Sequence, residues 1–309
     1  MINYLKLIRY RHLLLLAFMQ LIFRYGFLKL QNIPLALADW QYILLVFSTL
    51  FLAAGGSIIN AIFQQDSDSE NKPDCQVVGK FISENTAYNL YAAFTFTGVS
   101  IGFYLSNVIQ KSNFAILFIL IASTLYFYAS SMKNSILIGN ISVAFTTSIY
   151  LLLIGLFDLL PTTFEANQTV MGIHFSILFD YAVFTFIIAF LIELVSDIEN
   201  TKGDTSQGLS TLAVAIGFSK AKNTVLTLSL IPILCVVYYL KVYLFDAKLL
   251  YSFIYGLIFI VTPLIYFSIK IFKSNEPKEF RHLNIILKCI LFFAYLSIFV
   301  ISLNIQNHA

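Results

Sequence analysis

The sequence predicts an all-α membrane protein, a polytopic bundle of nine transmembrane helices that forms a single domain over residues 1–309. Hydrophobic residues make up 59% of the chain and charged residues only 11%, whereas about 25% of the residues in a soluble domain are charged. Apolar runs recur along the whole chain, and each is close to the ~20 residues that a helix needs to cross a bilayer. A transmembrane barrel would instead show alternating segments of about 10 residues.

The order of the elements can be followed along the chain. Residues 1–11 mix apolar side chains with Lys and Arg, which predicts a short interfacial helix leading into the membrane. The seventh apolar run is too long for one straight span, so we expect it to begin with an interfacial turn. The nine predicted spans are 12–30, 40–64, 85–107, 113–130, 134–158, 172–196, 212–241, 248–271 and 283–304.

The distribution of Lys and Arg predicts the orientation, because cytoplasmic segments of membrane proteins are enriched in both. With the N-terminus in the cytoplasm, the outer segments hold only Arg24, Lys29, Lys111, Lys241 and Lys248. The cytoplasmic segments then hold Lys6, Arg9, Arg11, Lys72, Lys80, Lys133, Lys202, Lys220, Lys222, Lys270, Lys273, Lys278 and Arg281. We therefore expect a multi-pass protein of the cell (inner) membrane with a cytoplasmic N-terminus.

Two acidic clusters follow predicted spans and, in this orientation, emerge on the same cytoplasmic face. In the first cluster, residues 60–74, the side chains of Asn60, Gln64 and Asp68 are four residues apart. That spacing places them on one face of a helix. Pro73 then predicts the end of the helix and a turn.

The second cluster ends the sixth predicted span. Its polar side chains are spaced so that they share one helical face, and Gly203 is expected to loosen the end of the helix. The residues on this face are Glu193, Asp197, Asn200 and Asp204.

Carboxylate and amide oxygens in this arrangement suit Mg²⁺, a hard cation that prefers oxygen ligands. Lysines on the same face of the membrane could neutralise phosphate oxygens. The alternative is that acids and lysines at helix ends form only the solvated edge of a membrane protein. Glu193 and Asn60 favour a functional site, because strongly polar groups inside a span are costly and are usually functional.

These residues match a known pattern: the chain resembles the UbiA superfamily of intramembrane prenyltransferases, in its geranylgeranylglycerol-phosphate geranylgeranyltransferase-like branch. That family has nine helices and two aspartate-rich motifs. The first motif, N-D-x-x-D-x-x-x-D with an N-K-P-D-R-like turn, corresponds to residues 60–68 and 71–75. The second, similar to D-I-E-D-x-x-G-D, corresponds to residues 197–204, and a third patch matches at residues 133–144.

The resemblance implies a Mg²⁺-dependent transferase that moves a polyprenyl group from an isoprenoid diphosphate to a polar-lipid or aromatic acceptor. Membrane lipids are expected partners and nucleic acid is not. The implied catalytic residues are Asp68, Asp197 and Asp204, and the same three with Asn60 are the implied metal ligands. The implied substrate-binding residues are Asn60, Gln64, Lys72, Lys133, Asn140 and Lys202.

The chain departs from the family pattern at four positions. Ala61 and Gln64 stand where the pattern has aspartates, Cys75 where it has a basic residue, and Asn200 where an acid is common. Fewer carboxylates in a low-dielectric site weaken metal binding. These positions motivate an alternative: a non-catalytic family member with a decayed first motif that binds an isoprenoid or a partner.

A small transporter that uses intramembrane acids as a cation relay is a third hypothesis. It predicts acids deep inside several spans. Only Asp158, Asp180 and Glu193 meet that requirement in part, so the transferase and its non-catalytic alternative are favoured.

Overall fold

The structure, a computed structural model, describes residues 2–65, 76–206 and 208–308. Within these residues the chain forms helices joined by short turns and has no β-strand, so the all-α prediction is confirmed. The helices in chain order are α1 (Ile2–Leu7), α2 (Tyr10–Tyr25), α3 (Asp39–Phe63), α4 (Glu84–Val108), α5 (Ala115–Ser130), α6 (Ile138–Ile154), α7 (Gln168–Ser206), α8 (Leu212–Ile216), α9 (Phe218–Tyr239), α10 (Leu250–Lys273) and α11 (Phe280–His308).

Each of the nine predicted spans coincides with one long helix in the described part of the chain. Eight of these helices are long and apolar enough to cross a membrane. The remaining one, α4, has 25 residues and carries several Thr, Ser and Asn side chains among its apolar ones. It packs closely along α3, where the Ser48 hydroxyl donates to the carbonyl oxygen of Gly98 at 2.6 Å.

The chain ahead of the first span forms α1, as predicted, and then turns sharply. Arg9 joins α1 to α2 in the left-handed conformation, with φ 51° and ψ 52°. Leu7 is buried in an apolar cluster with Ile58 and Ile62 of α3. The turn at Arg9 therefore folds α1 against the end of α3 from which the first acidic cluster follows.

The seventh span begins with a break, also as predicted. The short helix α8 ends at Gly217, whose φ of 82° lies in the left-handed region. This region favours glycine because the residue has no Cβ. The chain then changes direction and enters α9.

Helix α7 is longer than the predicted span 172–196. It contains 39 residues and is about 58 Å long at a rise of ~1.5 Å per residue. Gly203, which we expect to loosen the end of the helix, lies in its last turn, and the helix continues to Ser206. The second acidic cluster is therefore carried on the same rigid element as the span.

The helices share one apolar core, which runs from Leu16 on α2 to Ile298 on α11. Helices α2 and α11, the first and last long helices, pack directly against each other. Their contact includes Phe18 and Phe292, whose stacked ring centroids are 4.7 Å apart. We call the end of the bundle that carries α1 and the second acidic cluster the site end.

A buried ion pair fastens the opposite end. The side chains of Arg24 and Asp158, 1% and 0% exposed, are in direct contact. Arg24 also donates to the carbonyl oxygen of Leu37 at 2.5 Å, and the Leu37 backbone N–H donates to Asp158 at 3.1 Å. The guanidinium lies 4.3 Å from the ring centroid of Tyr42. Asp158, one of the three acids that a cation relay would need, thus joins three segments of the bundle.

We expect Asp158→Ala to lower the free energy of unfolding by about 3–5 kcal/mol, because it removes the buried counter-charge of the Arg24 guanidinium and leaves only the exposed Asp39 at 3.4 Å. The measurement is the unfolding midpoint of the detergent-solubilised protein. Glu165→Ala is the control, because Glu165 is exposed in the loop before α7, and surface substitutions usually change stability by about 0.5 kcal/mol or less. Equal losses in the two variants would contradict the assignment.

Candidate functional site

The part of the site that the structure describes is built on α6 and α7. Asn140, in the first turn of α6, donates its Nδ2 hydrogen to Oδ2 of Asp197 at 2.7 Å. Both side chains are buried. Burial of a carboxylate is costly unless it is hydrogen-bonded, so the amide of Asn140 both stabilises and orients Asp197.

Three oxygen-bearing side chains share the face of α7 that points to this contact. Asn200 and Asp204 follow Asp197 at helical spacing, and Asp204 is only 1% exposed. Asn200 donates to the Ser196 hydroxyl at 3.3 Å. Its Oδ1 is buried without a hydrogen-bond partner among the described residues. A buried oxygen without a donor is what a metal ion or its water would satisfy.

Lys133 lies in the turn that precedes α6. Its positive charge acts on both Asp197 and Glu193. The turn is held in place by the neighbouring Asn134, whose Oδ1 accepts a hydrogen bond from the backbone N–H of Ser210 at 3.0 Å. The lysine is thus anchored between α6 and the loop that follows α7.

Asn60 and Gln64 lie at the end of α3, where both are buried. The Gln64 side-chain amide donates to Oδ1 of Asn60, and its backbone N–H donates to the Asn60 carbonyl oxygen at 3.1 Å. The described chain stops at residue 65. Asp68, Lys72, the turn predicted around Pro73 and the departure at Cys75 therefore lie outside the described residues.

Lys202 does not share the face of α7 that carries Asp197. It is exposed and follows Asp197 by five residues, which rotates it about 140° around the helix axis. Its role in substrate binding stays a prediction.

The structure shows a second group of polar side chains closer to the middle of the bundle. The sequence predicted one of them, Glu193, as a site residue. The centre of this group is Glu193, one helical turn before Asp197. The hydroxyl of Tyr128 lies beside this carboxyl, and the nearest cations include Arg9 and Lys288. Lys288 could be singled out from the sequence, because it is a charged residue inside the last predicted span. Tyr128 could not, because nothing distinguishes it from the other 17 of the 18 tyrosines.

The donor set fits Mg²⁺ in its chemistry. Carboxylate and amide oxygens are the ligands that this ion prefers, and it usually keeps several waters. Within residues 2–65, 76–206 and 208–308 no group of three or more His, Cys, Asp or Glu side chains could hold a metal ion by itself. Asp197, Asn200 and Asp204 thus supply one side of a site at most, with water or substrate oxygens completing it.

An aromatic groove lies close to the end of α3. It runs between α4 and α5 and has a volume of about 600 Å³. Phe63, three residues after Asn60, packs edge-on against Tyr126 of the groove at a centroid distance of 6.2 Å. The groove is lined by Tyr91, Ala92, Thr95, Phe96, Val99, Ile119, Ala122, Ser123, Tyr126 and Phe127. It is an apolar surface that is open to lipid.

Comparison with known proteins assigns the family. The sequence model of the UbiA prenyltransferase family matches residues 15–296. The chain belongs to this family. A curated relative, the digeranylgeranylglyceryl phosphate synthase of Sulfurisphaera tokodaii, is 29% identical over 55% of this chain and 55% of its own. The matched region thus spans about half the length of that relative.

Solved structures share the fold of this UbiA-family chain. A digeranylgeranylglyceryl phosphate synthase superimposes with a TM-score of 0.64 at 22% identity, covering 97% of each chain. A UbiA homologue from Archaeoglobus fulgidus bound to DMAPP and Mg²⁺ superimposes with a TM-score of 0.61 at 17% identity, covering 97% of this chain and 99% of its own. The predicted family and the multi-pass membrane fold are thereby confirmed.

Proposed function

We propose that this chain is a Mg²⁺-dependent membrane prenyltransferase that moves a polyprenyl group from an isoprenoid diphosphate to a polar-lipid acceptor. The observation that carries the proposal is the buried oxygen face of α7, in which Asn140 orients Asp197 and Asn200 keeps an oxygen without a partner. Family membership supports the reaction type. The A. fulgidus homologue, bound to DMAPP and Mg²⁺, supports the donor class and the ion.

The donor diphosphate is held at the site end. Asp197, Asn200 and Asp204 would hold Mg²⁺ there, with Asn60 and the first-motif Asp68, and the ion would supply positive charge against the leaving diphosphate. Lys133 adds a positive charge on the same side. The prenyl tail lies along apolar, aromatic surface such as the groove between α4 and α5.

The acceptor is activated at Glu193, one helical turn before Asp197 on α7. The bond between prenyl C1 and the diphosphate oxygen breaks, and its electron pair leaves with the diphosphate. A new bond forms between C1 and the acceptor oxygen, and the acceptor hydroxyl proton passes to the carboxylate of Glu193. Tyr128, beside that carboxyl, positions it for the transfer. An aromatic acceptor would lose its ring proton to the same group.

The membrane orientation belongs to this proposal. The bias of Lys and Arg supports a cytoplasmic location of the site end, where an isoprenoid diphosphate and Mg²⁺ would both be accessible. The inner membrane of the cell is the proposed location.

We expect transfer from geranylgeranyl diphosphate to be abolished by EDTA, and to fall at least a hundredfold in Asp197→Asn and in Asp204→Asn, because each variant removes a charged ligand of the ion. Radiolabelled product is measured in membranes. Asp180→Asn is the matched control, because Asp180 lies on the same helix but is exposed. Unchanged transfer in both site variants, or EDTA-resistant transfer, would refute the site.

The Asn140 contact predicts a change in metal requirement. Asn140→Leu removes the hydrogen bond to Asp197, and loss of such an orienting partner typically costs about 10- to 100-fold in metal affinity or activity. We expect the Mg²⁺ concentration for half-maximal transfer to rise by at least about tenfold. Asn107→Leu, whose amide bonds within α4 at the surface, serves as the control. A half-maximal concentration equal to that of the wild type would rule out this role.

Glu193→Gln tests the proton acceptor. The amide keeps the shape of the side chain but cannot take the proton, so we expect kcat to fall by about 10²–10⁴. The KM of the donor and the Mg²⁺ requirement should change little. Glu165→Gln, at an exposed position in the loop before α7, should retain full activity. A Glu193→Gln enzyme with normal kcat would show that another group accepts the proton.

A further inference from the structure

Helix α4 packs with one side against its two neighbours in the bundle. Towards α3, the ring centroids of Phe51 and Phe94 are 5.4 Å apart. Towards α5, the buried Gly102 allows close approach, because a Cβ at this position would collide with the ring of Phe118. Helices α3 and α5 together cover this side of α4, so the opposite side faces outward into the membrane.

The outward side of α4 carries five exposed side chains at helical spacing. They occupy positions i, i+4, i+8, i+11 and i+15, which share one face of a helix. We call them the α4 stripe, and they are Asn89, Ala93, Thr97, Ser100 and Tyr104. At a rise of ~1.5 Å per residue the stripe is about 22 Å long. It occupies the central part of a helix that spans a hydrocarbon core of ~30 Å.

A surface that faces lipid is normally apolar, and the neighbouring α5 shows this composition. Its exposed side chains are all large and apolar or aromatic, namely Ile116, Ile119, Leu120, Tyr126 and Phe127. The α4 stripe instead presents an amide, two aliphatic hydroxyls and a phenol. Such groups are costly in hydrocarbon unless they find a hydrogen-bond partner.

The two aliphatic hydroxyls of the stripe have no such partner within the described chain. Ser106, on the buried side of the same helix, donates to the Gly102 carbonyl oxygen at 2.8 Å. Hydroxyls of other spans bond to a carbonyl oxygen one turn back in the same way. Thr97 and Ser100 make no side-chain hydrogen bond to any described residue. They can therefore bond to a helix that packs against the stripe.

We propose that the α4 stripe is the contact between two copies of this chain, related by a two-fold axis along the membrane normal. Two copies have the same orientation in the membrane, so this axis brings each residue of one stripe to the depth of the same residue in the other. Hydroxyl and amide groups both donate and accept hydrogen bonds, so each group can pair with its own kind. The small side chains of Ala93, Thr97 and Ser100 let the two backbones approach closely, as in other membrane helix interfaces.

The chemistry of the stripe favours a second copy over other occupants. None of its five side chains is charged, so it offers no counter-charge to a basic or acidic partner helix. Lipid tails have no donor or acceptor for its hydroxyls. The aromatic groove between α4 and α5 lies on a different side of the helix. Its lining residues Thr95 and Val99 are rotated about 140° and 100° around the axis from Ser100, so the dimer contact and a prenyl tail can occupy α4 together.

Cysteine cross-linking in membranes tests the contact and needs no enzyme activity. The three natural cysteines are first replaced by serine. A disulfide needs Cα atoms within about 7 Å of each other, so we expect Ala93→Cys, Thr97→Cys or Ser100→Cys to link two copies on oxidation. Ala92→Cys is the matched control, because Ala92 is also an exposed alanine but is rotated about 100° off the stripe. Equal linking at Ala92, linking only to a different protein, or no linking at any stripe position overturns the inference.

Removal of the hydroxyls should weaken the dimer. Thr97→Leu combined with Ser100→Leu removes both groups, and the two-fold axis makes each change act twice. We expect the dissociation constant, measured by fluorescence energy transfer between labelled copies in liposomes, to rise on the order of tenfold or more. Thr97→Ser combined with Ser100→Thr keeps the hydroxyls and should keep the wild-type constant. Thr227→Leu is the control, because Thr227 is an exposed hydroxyl residue on α9, outside the stripe. A monomeric wild type, or a double leucine variant with an unchanged constant, contradicts the proposal.

Discussion

Burying a carboxylate away from water costs several kcal/mol unless a cation or hydrogen-bond donors compensate it, and this bundle pays that cost differently at its two ends. Asp158 receives the Arg24 guanidinium and a backbone N–H; its environment is complete and joins three segments. Asp197 has one neutral amide donor, and Asn200 retains an oxygen without a partner. The first arrangement stabilises the fold. The arrangement around Asp197 leaves oxygens that can bind a cation. The ion pair at the opposite end of the bundle holds the helices that carry these oxygens in fixed positions.

One helix sets the order of the chemistry. Helix α7 is continuous over 39 residues, so Glu193, Asp197 and Asp204 cannot move relative to one another without unfolding it. Neighbouring turns place such side chains about 6 Å apart, close to the separation of the reacting parts of two substrates. A site assembled on loops would need further contacts to position its side chains as accurately. Here the acids are already aligned on one face of α7, and the other helices add Asn140, Tyr128 and nearby cations.

The sequence could predict what depends on local periodicity. The nine apolar runs and the shared face of Asp197 and Asp204 follow from the helical repeat, which neighbouring residues define. The pairing of Arg24 with Asp158, 134 residues apart, depends on how the helices pack, and so does the approach of Tyr128 to Glu193. The position of Asn140 inside a span favoured a polar contact between helices, whereas its role in substrate binding was taken from the family pattern. That Lys202 does not share a helical face with Asp197 could have been predicted from the sequence. A separation of five residues rotates the side chain about 140° around the helix axis.

The neutral positions of the first motif change the charge of the site more than its geometry. Gln64 still offers an oxygen and an amide at the end of α3, and the amide bonds Asn60. Ala61 and Gln64 together carry two fewer negative charges than the family pattern. An isoprenoid diphosphate would bring several negative charges of its own, and Lys133 supplies a positive charge beside Asp197. With fewer carboxylates to neutralise, this cation leaves more of its charge for a substrate. The departures therefore lower the charge that a metal ion would have to supply.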